Sequence, residues 1–230
     1  MKIVIVSSWM VPVPPVKYGG TEQVIYYLIK GLQELGHEVV LIGTADSKVD
    51  CPILPLVDKA TFFPLQEADK ESFKQNEIIY TQKTINLIND LAKKVDIFHS
   101  HGFDMTAFPA LPNVTTLHNK FSFANIEEFV DHKALNFVAI SNNQQESLPE
   151  LNYVGVVYNG EDPEQFPIVL EPENYVCFLG RFDREKNPHL AIQLAINKGI
   201  KIKVAGKLEY NGSSYFEEER SEERRVGKEC

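Results

Sequence analysis

Short apolar runs alternate with amphipathic segments along the first 160 residues of the chain. Residues 3–7 (IVIVS) form an apolar, β-branched run, which predicts a strand buried on both faces of a parallel sheet. Apolar side chains then recur at helical spacing over residues 24–35, with Thr21 as the predicted N-cap and Gly36 as the predicted stop. Residues 38–43 (EVVLIG) form the next predicted strand. Together these segments have the size of one strand–helix–strand crossover unit.

The alternation continues after residues 44–75, an irregular segment whose short strands and loops the pattern does not resolve. A helix is predicted over residues 76–94, which carry apolar side chains roughly on one face. Because strands and helices alternate, we predict an α/β fold in which residues 1–160 form one doubly wound, mainly parallel sheet with helices on both faces. The further predicted strands, each followed by a polar turn, are residues 95–99, 113–117, 136–140 and 154–158.

A second, incomplete unit of the same kind is predicted after residue 174. Residues 161–174 are acidic and contain three prolines, a composition typical of a linker between domains. The later pattern predicts strands at 175–179 and 201–206 around a helix with Asn187 as its N-cap, Pro188 at its first position and Gly199 at its end. The predicted domains are an N-terminal domain at residues 1–162, a linker at 163–174 and the beginning of a second domain at 175–216.

The last fourteen residues, 217–230, are predicted to pack against nothing. Ten of them are charged and Val226 is their one aliphatic side chain, so they have no apolar face to bury. The final segment, SEERRVGKEC, resembles translated adapter sequence, which predicts that it is not native. The alternative is a solvated extension of a helix that begins near Ser214.

The overall charge and the cysteines narrow the classes of partner. The chain has 23 Lys and Arg against 32 Asp and Glu, a net charge of −9, which disfavours a nucleic-acid binder and a polybasic membrane anchor. Three cysteines form no paired motif, which favours a reducing compartment. Serines and prolines interrupt the apolar start of the chain, so no signal peptide or integral membrane segment is predicted. These features predict a cytoplasmic protein.

Two groups of residues are candidates for binding the phosphates of a ligand. Gly19 and Gly20 precede a predicted helix, where glycine lets the backbone approach a ligand and the helix end offers free N–H groups to an anion. Arg181 and Lys186 bracket the turn before another predicted helix, and would place two cations beside a diphosphate. Surface charge balanced by acidic neighbours is the alternative for this pair. The glycine spacing matches neither a dinucleotide-binding dehydrogenase nor a P-loop NTPase, which disfavours both classes.

Three histidines, His99, His101 and His118, raise the question of a metal site. The H-x-H pair can offer two ligands, but no further Cys, His or carboxylate spacing completes a zinc site, and no Asp-x-Asp motif occurs. No metal and no other cofactor are therefore predicted. His118, at the end of a predicted strand, is interpreted as a histidine of a ligand cleft, with a core histidine bonded to backbone as the alternative.

Several segments of the chain, taken in order, resemble one family of enzymes. They are YGGTEQVIYYLIKGLQELGHEVVLIG, DIFHSH, TTLHN, AISNNQ, VVYNGEDPEQF and FLGRFDREKNPHLAIQLA. Their order and spacing over about residues 1–216 resemble the retaining GT-B glycosyltransferases of family 4, and GRFDREKNPHLAI is the most specific piece. The KYGGTE segment resembles the subgroup related to antibiotic and surface-polysaccharide sugar transferases.

The resemblance implies two facing Rossmann-like domains, the first holding an acceptor and the second holding a nucleotide-sugar donor. It implies that Gly19 and Gly20 lie against the donor phosphates, that Arg181 and Lys186 hold the diphosphate from the other domain, and that His118 lies near the transferred sugar. Such enzymes use cations and N–H groups in place of a metal ion. The acceptor, whether a glycan, a lipid or a small molecule, is left open. Weaker candidates for the cleft are Glu22, His101, Ser141 and Asn142.

One motif of the family is missing from this chain. The family carries a Glu-x7-Glu pair in its second domain; Glu209 and Glu217 have this spacing but flank a predicted turn, and are interpreted as a coincidence. We therefore expect a C-terminally truncated fragment of a longer glycosyltransferase, which lacks most donor affinity and is inactive. The alternatives are a sugar-nucleotide epimerase or phosphorylase on the same fold, and a non-enzymatic Rossmann-like binding module.

Overall fold

The computed structural model describes residues 1–61, 70–118, 135–182, 184 and 186–206. The chain divides into two compact units, residues 1–165 and 166–230, and the division falls inside the acidic, proline-rich segment. The elements of the first unit are β1 (Lys2–Val6), α1 (Gly20–Glu34), β2 (Glu38–Thr44), β3 (Ile53–Val57), α2 (Lys70–Leu91), β4 (Ile97–Ser100), β5 (Asn113–Leu117), β6 (Phe137–Ala139), α3 (Asn142–Ser147), β7 (Tyr153–Val156) and a 3₁₀ turn (Pro163–Gln165).

The described strands of the first unit form a seven-stranded parallel sheet in the order β3-β2-β1-β4-β5-β6-β7. The strand order reverses beside β1, because β2 and β3 lie on one side of it and the later strands lie on the other. At such a reversal the connecting segments diverge and leave a crevice outside the carboxyl ends of the strands. The predicted doubly wound parallel sheet is therefore confirmed, and its topology sets the position for a binding site between β1 and β4.

Side chains of β1 alternate between two apolar clusters, one on each face of the sheet. Ile3 and Ile5 pack in the cluster that includes α1, whereas Val4 and Val6 pack in the cluster that includes Ile88 of α2. All four β1 side chains are buried. The sheet is thus covered by helices on both faces, which explains why the sequence of β1 is uninterruptedly apolar.

Helix α1 begins one residue before its predicted cap. Gly20 is its first residue and Gly19 its N-cap, with a φ of 154°, so Thr21 lies inside the first turn and its prediction as the N-cap is wrong. A Cβ on Gly19 would lie 2.7 Å from both Glu22 Oε2 and Pro15 Cβ. The positive φ and the lack of space for a Cβ both require glycine at this position. Because this glycine is the N-cap, the helix begins at Gly20 rather than after Thr21.

A short helix, α3, follows β6 where a polar turn was predicted. Ser141 is its N-cap, and the Ser141 Oγ accepts a hydrogen bond of 3.1 Å from the backbone N–H of Gln144. Asn142 is therefore the first helical residue rather than part of a turn. The six residues of α3 form less than two turns, too few to show helical periodicity in the sequence.

Other boundaries differ by a few residues from the predictions. Helix α2 begins earlier and ends earlier than the predicted 76–94, and β3 is a regular strand within the segment 44–75. Gly36 follows α1 with a φ of 80°, as predicted for a helix stop. No helix among the described residues is long and apolar enough to cross a membrane.

The second unit contains, in its described part, two parallel strands and a helix: β8 (Val176–Leu179), α4 (Pro188–Lys198) and β9 (Ile202–Ala205). Asn187 is the N-cap, Pro188 the first helical residue and Gly199 the left-handed C-cap, as predicted. Residues 217–230, predicted to pack against nothing, lie outside the described residues, as do Glu209 and Glu217.

Replacing Ser141 should destabilise the first unit modestly. Ser141→Ala removes the acceptor for the backbone N–H of Gln144 in the first turn of α3, so we expect the free energy of unfolding to fall by about 1 kcal/mol. The measurement is urea unfolding followed by tryptophan fluorescence. Ser147→Ala is the matched control, because its hydroxyl donates to a helix carbonyl and its loss should cost less. An equal effect of the two variants would contradict the capping role.

The second unit should reduce the solubility of the chain. Leu179, Leu190 and Leu194 are 84%, 53% and 62% exposed, and exposed apolar surface of this kind promotes association. We expect a chain ended after residue 165 to remain monomeric and protease-resistant at concentrations where the full chain associates. Size-exclusion chromatography and limited proteolysis test this, with Leu179→Gln/Leu194→Gln in the full chain expected to restore part of the solubility. Identical behaviour of the two chains would refute the expectation.

Candidate functional site

A pocket of about 610 Å³ opens in the first unit at the carboxyl ends of β1 and β4. Its lining comes from the loop after β1, the first turn of α1, Leu56 of β3, one face of α2 and the segment after β4. The backbone holds these segments together, since the N–H of His101 donates to the carbonyl of Val6 at 3.1 Å. The pocket therefore occupies the crevice that the reversal of strand order creates.

Gly19, Gly20 and Glu22, which were predicted to lie in a cleft, all line this pocket. The first N–H groups of α1 have no acceptor within the helix, and the aligned peptide dipoles give this end a partial positive charge. Gly20 is exposed, and the space where its side chain would begin is open for 4 Å within the described structure. The backbone at this end of α1 can therefore be approached closely by an anionic group.

Glu22 places a buried carboxylate beside these glycines. Its side chain is 7% exposed, and this burial raises the pKa of the carboxyl, while a hydrogen bond from its own backbone N–H acts in the opposite direction. The Glu22 carboxylate lies directly against Gly19. It is thus a fixed polar group of the pocket wall.

Three histidines form a stacked column at the same edge of the sheet. The ring centroids of His99 and His101 are 4.4 Å apart, and those of His101 and His118 are 5.2 Å apart. His101 Nδ1 and His118 Nε2 share a hydrogen bond of 2.9 Å, and His99 Nε2 bonds Thr116 Oγ1 at 2.8 Å. The three rings connect the end of β4 to the end of β5. His101 is the member of the column that lines the pocket.

Burial keeps the histidine column neutral at physiological pH. Desolvation lowers the pKa of both His99 and His118 to about 4 and lowers the pKa of His101 well below its ordinary value. Neighbouring histidines lower the pKa of His99 and His101 further. His101 Nε2 is buried and has no hydrogen-bond partner within the described residues. The column therefore offers neutral hydrogen-bonding groups rather than positive charge.

The described carboxylates do not join the histidines to complete a metal site. Over residues 1–61, 70–118, 135–182, 184 and 186–206, no three His, Cys, Asp or Glu side chains are grouped so that they could hold a metal ion.

Gln144 is a residue of this edge that the sequence interpretation missed. Its side-chain Oε1 accepts a hydrogen bond from the N–H of Ile140 at 2.8 Å, and its Nε2 donates to the carbonyl of Leu117 at 3.1 Å. The buried amide thereby ties the end of β6 to the residue just before His118. The signal that could have found it is the Ser-x-x-Gln spacing from Ser141, which is that of a capping box.

Arg181 and Lys186 belong to the second unit, in the segment between β8 and α4. Arg181 is half-buried and Lys186 is exposed. This segment leads to the N-terminus of α4, so both cations precede a helix end of positive polarity. Gly180 and Gly206 lie against each other at the carboxyl ends of β8 and β9, where a Cβ on Gly206 would collide with the Gly180 carbonyl.

The histidine column should make the first unit sensitive to acid. His99 and His118 have a pKa of about 4 when folded and near 6.5 when unfolded, so the unfolded chain binds more protons between these values. Stability should therefore fall as the pH falls through this window, by roughly 3 kcal/mol for His99 over the full window. The measurement is the free energy of unfolding in urea at a series of pH values.

Removing one histidine isolates its contribution to this acid sensitivity. His99→Gln should give a shallower dependence of stability on pH than the unaltered chain. Val114→Ala, on the paired strand β5, should lower stability equally at every pH and keep the slope. A slope that is unchanged in His99→Gln would rule out the titration of His99 as its cause.

Solved structures share this fold at low sequence identity. AviGT4, a glycosyltransferase involved in avilamycin A biosynthesis, is 20% identical with a TM-score of 0.63, over 98% of this chain and 61% of that one. The catalytic domain of starch synthase IV from Arabidopsis thaliana is 14% identical (TM-score 0.60; 97% and 71%), and the UDP-GlcNAc 2-epimerase from Neisseria meningitidis is 12% identical (TM-score 0.50; 96% and 70%). These likenesses confirm the predicted α/β fold of GT-B type. The chain spans 61% of the length of AviGT4.

The family comparison is more specific than the fold. No curated protein sequence matches the chain. The family model described as Glycosyltransferase Family 4 matches residues 18–165, which run from the residue before Gly19 to the end of the first unit. This match covers well over half of the chain and confirms the resemblance inferred from its motifs. The chain belongs to Glycosyltransferase Family 4.

Proposed function

We propose that the full-length protein transfers a sugar from a nucleotide-sugar donor to an acceptor, with retention of the anomeric configuration and without a metal ion. One observation carries the proposal: the part of the chain that matches the family contains a pocket lined by the glycine-rich start of helix α1 on one side and by the neutral imidazole of His101 on the other. Such a pocket offers separate groups to a phosphate and to a sugar.

In the proposed reaction, the donor diphosphate is held from two sides. The N–H groups at the start of α1, beside Gly19 and Gly20, bind phosphate oxygens from the first domain. Arg181 and Lys186 bind the diphosphate from the second domain, as charge-assisted donors. The departing nucleoside diphosphate gains negative charge in the transition state, so groups already oriented towards it lower the barrier.

His118 contacts the sugar that is transferred. Its imidazole is neutral because burial holds its pKa near 4, so it hydrogen-bonds a sugar hydroxyl without adding charge next to the reacting carbon. Gln144 acts as a positioning residue, because its amide fixes the carbonyl of Leu117 immediately before His118. His101 and Glu22 border the same cleft. Ser141 acts by capping α3, of which Asn142 is the exposed first residue.

The bonds that change are confined to the two substrates. The acceptor hydroxyl attacks the anomeric carbon from the face on which the diphosphate departs. The carbon–oxygen bond to the phosphate breaks as the bond to the acceptor oxygen forms, and the acceptor proton passes to an oxygen of the departing diphosphate. The products are a glycoside of unchanged anomeric configuration and a nucleoside diphosphate.

Substitutions of the proposed phosphate ligands should act on turnover. Lys186→Ala should lower kcat by on the order of 10²-fold to 10³-fold, because its interaction strengthens as the leaving group gains charge. Arg181→Lys should not restore full activity, since the planar two-pronged donor is lost. His118→Ala should lower kcat with less effect on the affinity for nucleoside diphosphate. The measurements are kcat with a panel of nucleotide-sugars and calorimetric binding of the nucleoside diphosphate.

Lys198→Ala provides the matched control for these variants. Lys198 lies at the other end of α4 from Lys186, so kcat and nucleotide affinity should both stay at their original values. If Lys186→Ala behaves like Lys198→Ala, then Arg181 and Lys186 are surface charges and the proposed diphosphate site is wrong.

A further inference from the structure

Aromatic side chains form one wall of the pocket in the first unit. Trp9, from the loop after β1, stacks on Tyr80 of α2 with ring centroids 4.8 Å apart and an interplanar angle of 30°. Phe73 lies about two turns away on the same helix, with its ring centroid 5.9 Å from that of Trp9. Trp9 and Phe73 line the pocket and are half-buried, so part of each side chain remains accessible. Rigid aromatic surface of this kind packs well against the apolar face of a ring-shaped ligand.

The charged side chains of the pocket lining are all acidic. They are Glu22, Glu77 and Asp104, and no Lys or Arg is among the described residues that line the pocket. The Asp104 carboxylate is held in place, because it accepts hydrogen bonds from the N–H and the hydroxyl of Thr106 at 2.9 and 2.6 Å. Glu77 and Asp104 are both exposed, so their carboxylates can pair with a cationic group of a ligand. The N-terminus of α1, in the same lining, favours an anionic group such as the donor phosphates of the proposed reaction.

Two buried polar atoms of the lining have no partner among the described residues. They are Ser7 Oγ and His101 Nε2, on side chains that are 7% and 8% exposed. Buried polar groups are rarely left without a hydrogen bond, so these atoms point to a ligand that supplies one. A sugar hydroxyl can both donate and accept, and therefore suits the serine hydroxyl and either tautomer of the histidine.

We propose that the acceptor held in this pocket is a sugar that carries an amine. The sugar ring packs on Trp9 and Phe73, its hydroxyls bond Ser7 and His101, and its protonated amine pairs with Glu77 or Asp104. The identification of this ligand as the acceptor rests on the transferase function proposed above. The pairing of a ligand amine with Glu77 or Asp104 does not rest on it.

The single tryptophan of the chain makes binding measurable without turnover. Trp9 is the only tryptophan among the 230 residues, so its fluorescence reports on the pocket directly. Glucosamine and glucose are titrated into the full chain at low ionic strength and slightly acidic pH, where the amine is protonated. We expect glucosamine to bind about fivefold more tightly than glucose. Equal affinities, a preference for glucose, or no response to either sugar would overturn the proposal.

A matched pair of variants tests the carboxylate contribution. Glu77→Gln should reduce the preference for glucosamine over glucose by about threefold, the size expected for an exposed ion pair. Glu71→Gln lies on the same helix outside the pocket lining and should leave the preference unchanged. If Glu77→Gln and Glu71→Gln behave alike, the assignment of Glu77 to the amine is wrong.

Separate measurement of nucleotide binding distinguishes this proposal from the transferase function. Nucleoside diphosphate is titrated calorimetrically into the full-length protein in the absence of sugar. Nucleotide binding without a fluorescence response to glucosamine overturns the acceptor proposal alone. A glucosamine response without nucleotide binding supports the pairing of a ligand amine with Glu77 or Asp104 and contradicts the proposed donor.

Discussion

The burial of β1 on both of its faces is the constraint from which the site follows. Ile3 and Ile5 require cover from one side of the sheet and Val4 and Val6 require cover from the other, so the segments that connect the strands have to pack on both faces at β1, which lies between β2 and β4. The crossovers from β1 and β4 then leave the sheet towards opposite faces. The crevice between them, and every pocket residue supplied by the two loops, results from that divergence.

The same topology gives different parts of the pocket different electrostatic properties. The start of α1 meets the crevice with the positive end of its helix dipole, whereas the segment after β4 meets it with His101, whose imidazole is kept neutral by burial. Carboxylates from α2 and from the segment after β4 complete the lining. A pocket of this kind has regions that suit a phosphate, a sugar ring and a cationic group, all supplied by one topology.

The elements that could be predicted are those whose determining contacts leave a pattern in the local sequence. The interior strands were predictable because burial on both faces leaves a continuous apolar run, as in residues 3–7. The start of α1 was not, because Gly19 is required by its contacts with Pro15 and Glu22, which the local pattern does not reveal. Helix α3 escaped prediction because its stability comes from the Ser141 cap and the buried Gln144 amide rather than from an apolar stripe.

The candidate site could be predicted in part for a similar reason. Polar residues at the carboxyl ends of strands can be recognised from the chain, and these included His101 and His118. Their stacking, their shared hydrogen bond and the loss of charge depend on neighbours that are distant in sequence. The aromatic wall of the pocket could not be predicted from the sequence for the same reason, since the Trp9 ring contacts the Phe73 ring only after α2 has packed on the sheet.

The hydrogen bond between His101 and His118 gives the pocket two interchangeable proton arrangements. In the first arrangement His118 Nε2 donates, so His118 Nδ1 has a lone pair and His101 Nε2 carries a hydrogen. In the second arrangement His101 Nδ1 donates, so His118 Nδ1 carries a hydrogen and His101 Nε2 has a lone pair. Both arrangements contain the same number of protons and no net charge. The pair can therefore accommodate a hydroxyl group as donor or as acceptor by an internal tautomeric exchange, so the orientation of a bound ligand's hydroxyl and the positions of two buried protons are determined together.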